Sequence, residues 1–228
     1  MRSSETRTRD RSSPRPAVIV GLLLALFGNE IVGQLNLSTR LGTSQVGGYL
    51  LSDAIKWVIV GALLAIVLVW ERRSLASIGL EMPGGREIGL AVAAGLLAVV
   101  LGVFLTGLAV AALGVEQPAA LSAVGRLPFL IQVMVVVTAV ITEEIMWRGY
   151  PIERLAELTG RPWVGAVVSG VVFLAVHYPD WGLAGAIPQS VFTLALVGVY
   201  VWSRNVVTSM VTHGVINVLM VLVLPQLI

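Results

Sequence analysis

The sequence predicts an all-α fold: a polytopic transmembrane helical bundle of about seven spanning helices. Three observations lead there. Of the 228 residues, 57% are hydrophobic and only 12% are charged, about half the charged share of an ordinary soluble domain. The apolar residues gather in runs near the roughly 20 residues a helix needs to cross hydrocarbon. The arginines mostly flank those runs, the orientation signal of integral membrane proteins.

Each segment follows from its composition. Met1–Pro16 carries five arginines and four serines, too polar to bury, and reads as a disordered basic cytoplasmic tail. Spanning runs are expected at Ala17–Leu35, Ala54–Trp70, Ile88–Leu113, Leu127–Trp147, Trp163–Tyr178, Leu183–Trp202 and Val206–Leu224. The first run resembles a signal peptide, but no cleavage pattern follows it, so retention is expected. Pro151–Leu158 reads as a short amphipathic helix lying along the cytoplasmic interface, with Glu153, Arg154 and Glu157 on one side. Asp180 and Trp181 are expected in a loop after Pro179.

An N-terminus inside puts twelve arginines on the cytoplasmic side and leaves Arg40, Lys56 and Arg126 outside. That bias predicts a cytoplasmic N-terminus and an external C-terminus in a multi-pass plasma (inner) membrane protein. The basic residues serve orientation, so no nucleic-acid partner is expected; membrane lipid is. The chain has no cysteine, which excludes disulfides, thiol catalysis and thiolate metal sites.

Ionisable groups inside spanning segments are costly and are functional candidates by default. Glu143 and Glu144 stand together near the end of the fourth run, followed by Arg148. Glu144 and Arg148 are four apart and share a helix face, where they can pair. Glu143 is then left without an obvious counter-charge, a setting that suits a general base. His177 lies one turn beyond Phe173, and Asn217 one turn beyond His213. These are the only two histidines, and both fall in spanning runs. The Asn217 amide and the His213 ring could donate to the oxyanion of a tetrahedral intermediate. Asn29 and Glu30 could cap an outer helix end or reach a cavity.

Glu143-Glu144-x-x-x-Arg148, Phe173-x-x-x-His177 and His213-x-x-x-Asn217 resemble, in order, the three motifs of the CAAX-prenyl-endopeptidase and bacteriocin-processing (abortive infection) membrane proteases. The resemblance covers roughly Val124–Leu224, with Trp147 where an aromatic, commonly Phe, is usual. It divides the chain into variable N-terminal helices over 17–113 and a CAAX-protease-like catalytic core over 124–228, in the last four helices. It implies a glutamate intramembrane endopeptidase acting on a peptide or protein substrate, possibly lipidated. Glu143 would activate water, His177 would hold it, and His213 and Asn217 would form the oxyanion site. Glu144, Arg148 and Phe173 would be structural support. No cofactor is expected. The alternative is a zinc site made of Glu143, His177 and His213, a legitimate donor set, although no HExxH is present.

Two other classes stay open: a non-catalytic binding or immunity protein on the same fold, and a transporter using Glu143 as a proton relay. Serine chemistry is discounted because Ser169 lacks a GxSG context. Aspartyl chemistry is discounted because Asp53 and Asp180 are expected to flank helices. One depth is awkward. At ~1.5 Å per residue, Glu143 and His213 fall roughly 20 Å from the outer face and His177 nearer 10 Å, unless the segment Pro151–Leu158 dips inward.

Overall fold

The computed structural model describes residues 15–114 and 123–226. Most of the N-terminal tail expected over 1–16 therefore lies outside the described residues, while Arg15 and Pro16 already belong to the first helix. Helices make up the fold and no strand occurs among the described residues. Seven are long and apolar enough to cross a membrane.

Helix α1 spans Arg15–Gly33, and a short α2 (Leu37–Arg40) follows it. Helix α3 runs Gln45–Ala65 and continues as a π-helical turn, Ile66–Trp70. It begins nine residues before the start expected from hydropathy, because Ser44 caps it by accepting the Gly47 N–H at 3.2 Å. That early start brings Asp53 and Lys56 inside the span, so neither sits in an outer loop or at a helix flank as expected. Helix α4 is Gly85–Leu113. It is apolar on most faces, and Val100, Phe104 and Leu108 are exposed, as lipid-facing side chains are.

Helix α5, Phe129–Glu144, passes without interruption through a π turn, Ile145–Gly149, into α6, Tyr150–Thr159. The expected interfacial helix is thus the inner end of a span, and its charge points inward: Arg154 is fully buried. Helix α7 (Pro162–Ser203) holds two spans, Pro162–Pro179 and Ala184–Ser203, joined at a break where Gly182 takes φ 57°. Asp180 and Trp181 continue the helix and form no loop. Helix α8 is Val206–Asn217, extended by a π turn to Val223. Its cap, Asn205, accepts the Thr208 N–H at 3.0 Å.

Two apolar cores flank the polar centre. One gathers α1, α3, the continuous α5–α6 helix and the first arm of α7 around Leu63, Trp147, Tyr150 and Phe173. The other packs Ala98 of α4, Phe192 and Leu196 of the second arm of α7, and Ile216 of α8. Small residues set the closest approaches: a Cβ on Gly165 would lie 2.5 Å from the Ile152 carbonyl oxygen. The first arm of α7 therefore starts hard against Ile152 of α6.

Candidate active site

The three sequence motifs come from α5, the first arm of α7, and α8. Their side chains form a continuous set of contacts. Arg148 Nη1 lies 3.1 Å from Glu144 Oε1, with both side chains fully buried. The same Glu144 oxygen is 2.8 Å from His213 Nδ1, and Ser209 donates to the other oxygen at 2.5 Å. His213 Nε2 in turn lies 3.1 Å from Asn217 Nδ2. On the other side, the Arg148 guanidinium stacks 4.1 Å above the Phe173 ring, and that ring is 4.3 Å from the His177 ring. Trp147 meets Phe173 edge-on at 5.6 Å. Phe173 is thus the spacer that carries the α5 cluster onto His177.

Hydrogen bonds fix the state of each ring. His177 Nδ1 is 2.7 Å from the Phe173 carbonyl oxygen, which only accepts. Nδ1 must therefore carry a proton, and Nε2 is the nitrogen left for other partners. His213 donates Nδ1–H to the Glu144 carboxylate, so its neutral form accepts at Nε2 from the Asn217 amide. The pairing of Glu144 with His213 was not anticipated from spacing, which linked Glu144 to Arg148 alone.

Glu143 differs from the sequence expectation. It has a counter-charge: Lys56 donates to Glu143 Oε1 at 2.8 Å. Lys56 was assigned to the outer face by the arginine and lysine count; it lies instead in the middle of α3, inside the bundle. The charges of His177 and His213 also bear on Glu143. Those of Asp53 and Glu30 bear on Lys56. Glu30, hydrogen-bonded by Asn29 at 3.3 Å, thereby joins the edge of the site. Beside them, Trp57 donates to Thr138 Oγ1 at 3.1 Å, and Asp53 is buried with Oδ2 lacking any hydrogen-bond partner. A signal for Lys56 was available in the sequence: it is the only lysine in the chain, set in an apolar run.

Ser169 is buried and donates to the carbonyl of Trp147. It pins the π turn that follows Glu144, and π turns cluster at functional sites. Metal binding finds no ready donor set, since no group of three His, Cys, Asp or Glu side chains among the described residues is placed to hold an ion. One oxygen of Glu143 is already taken by an ammonium group.

No curated protein and no solved structure matches the chain. Residues 125–219 match the family model described as Rce1-like, type II CAAX prenyl endopeptidase. The matched segment takes in Glu143, Glu144, Arg148, Phe173, His177, His213 and Asn217, and leaves out α1–α4 with Asp53 and Lys56. Those motifs stand on three membrane-length helices, and the segment that carries them, residues 125–219, is similar to the Rce1-like family of type II CAAX prenyl endopeptidases.

Proposed function

We propose that the protein is an intramembrane endopeptidase that hydrolyses a peptide bond with water activated by Glu143, without a metal. The observation that carries this reading is the state of His177. With its Nδ1–H committed to a backbone carbonyl 2.7 Å away, Nε2 of the neutral ring accepts, and we take Glu143, on which the charge of His177 bears, as the second acceptor. A water donating one hydrogen to each is oriented with a lone pair free for a carbonyl carbon. Lys56 takes Oε1 of Glu143, leaving Oε2 for the water.

As the water attacks, its proton passes to Glu143 and charge builds on the carbonyl oxygen. The Asn217 amide has two N–H groups: one faces His213 Nε2 at 3.1 Å, and the other serves the oxyanion. When His213 is protonated, Glu144 stabilises the imidazolium through Nδ1, and Nε2 becomes a second donor. Glu144, Arg148 and Ser209 hold these donors in place.

The substrate is proposed to be a membrane-held peptide, lipidated or a precursor. The site lies in a multi-pass membrane protein, with the N-terminus proposed to be cytoplasmic and the membrane the plasma (inner) membrane. The test is cleavage, in lipid vesicles, of quenched fluorescent peptides with and without a farnesylated cysteine three residues from the C-terminus. Wild type cleaves, with or without a strong chelator, and Glu143→Gln does not. Loss of cleavage on chelation with recovery on added zinc would overturn the metal-free reading. Equal background from wild type and Glu143→Gln on every peptide would favour the binding-protein class.

A further inference from the structure

We propose that Lys56 is a catalytic residue of this site: the proton donor to the amine that leaves when the peptide bond breaks. The proposal rests on the hydrolase reading above and assigns a step that reading leaves without a donor. Three observations carry it.

The first is placement. Lys56 comes from α3, outside the family-matched segment, yet its Nζ lies 2.8 Å from Glu143 Oε1. Its side chain is not sealed, with 18% of its surface open against 0% for Arg148.

The second is residue choice. The chain has fourteen arginines and one lysine. The fully buried ion pairs among the described residues use arginine, Arg148 with Glu144 and Arg154 with Glu71, as do the more exposed pairs Arg73 with Glu157 and Arg204 with Glu153. A fixed counter-charge is served better by a guanidinium, which stays protonated and can bond a carboxylate at two points. The one position beside the proposed base carries instead the cation that can release a proton.

The third is the surroundings. Asp53, one turn away on the same helix, Glu30 of α1 and Glu143 of α5 all bear on Lys56. Asp53 Oδ2 is buried without a hydrogen-bond partner. It is an acceptor for Nζ when the ammonium moves off Glu143 toward substrate.

The step balances. Water attacks the carbonyl carbon and gives one proton to Glu143. The tetrahedral intermediate collapses, the C=O re-forms and the C–N bond breaks. Nζ–H of Lys56 passes to the departing nitrogen, which leaves as an amine. Protonated Glu143 then returns its proton to the neutral Lys56, restoring the carboxylate–ammonium pair. One water and one peptide bond give one carboxylic acid and one amine, and the enzyme is unchanged.

Because the chain has no cysteine, Lys56→Cys offers one thiol, and 2-bromoethylamine converts it to a lysine analogue with sulfur in its stem. Turnover of the farnesylated quenched peptide is measured in vesicles for wild type, Lys56→Arg, and Lys56→Cys before and after alkylation, with the modified fraction read by intact mass. Lys56→Arg and unmodified Lys56→Cys are expected to lose about 10²-fold or more in kcat, with KM within about threefold of wild type. Alkylation is expected to restore at least about tenfold of the loss, in line with a returned general acid. The alkylation comparison is internal to one protein sample, so it decides even where both forms melt below wild type. Wild-type kcat in Lys56→Arg overturns the proposal, since charge alone then suffices, and no gain on alkylation overturns it, since a returned ammonium then does nothing. Glu143→Gln run alongside separates the two levels. Full cleavage there sinks Glu143 as the base, and background cleavage by wild type and every variant sinks the hydrolase reading, whereas an inactive Glu143→Gln beside an active Lys56→Arg sinks the role of Lys56 alone.

Discussion

Two buried clusters sit on the continuous helix formed by α5 and α6, each built on a carboxylate and an arginine, and they are finished differently. At the far end, Arg154 bonds Glu71 through Nε at 2.9 Å, the Ser77 carbonyl at 3.0 Å and the Ser77 hydroxyl at 2.9 Å. Tyr150 donates to the remaining Glu71 oxygen at 2.6 Å. At the centre, Arg148 pairs its charge with Glu144, yet none of its three guanidinium nitrogens makes a hydrogen bond. Asp53 Oδ2 is likewise unpartnered, and Glu143 keeps some of its surface open. A saturated network rigidifies; an unsaturated one in a dry interior is costly and persists where a ligand or water completes it. We read the first cluster as a strut and the second as the site proposed above.

Substitutions that separate activity from stability will break or sharpen this contrast. The largest effect is expected from Glu143→Gln, a loss of about 10³-fold or more in turnover, the upper part of the range for removing a general base. Its melting temperature should stay near that of wild type, measured by a thermal shift in detergent. Arg154→Met should do the reverse. It strands Glu71 without a cation, at about 3–5 kcal/mol of stability, and the fraction that stays folded should turn over substrate at the normal rate. Asn217→Ala removes an oxyanion donor and should lower kcat by about 10²-fold with KM little changed. The smallest effect belongs to Ser209→Ala, which deletes one hydrogen bond to Glu144. It should cost about 1 kcal/mol of stability, read from the denaturation midpoint, with a correspondingly small loss of rate.

The strut and the site were not equally legible in the sequence. Glu144 with Arg148, Phe173 with His177, and His213 with Asn217 could each be read because a spacing of four puts both members on one helix face. The spans themselves were visible from hydropathy alone. Pairs between distant helices were invisible for the opposite reason. Glu71 and Arg154 are 83 residues apart, and nothing local to either names the other. Arg154 therefore read as a solvated interfacial charge. Lys56 was missed through a boundary: Gly47, Gly48, Ser52 and Asp53 depress hydropathy at the start of α3, so the helix was begun at Ala54 and the lysine placed with the outer loop. The Ser44 cap was the better guide to that start.

What remains to be decided is whether Glu143 activates water or attacks the peptide itself. Single-turnover cleavage in ¹⁸O-enriched water, followed by mass analysis of both the product and the enzyme peptide containing residue 143, answers it directly. Water activation puts one heavy oxygen in the new carboxyl terminus of the product and none in Glu143. Heavy oxygen in the Glu143 carboxylate after one turnover would contradict it, since the label reaches that position only through an acyl link to the enzyme.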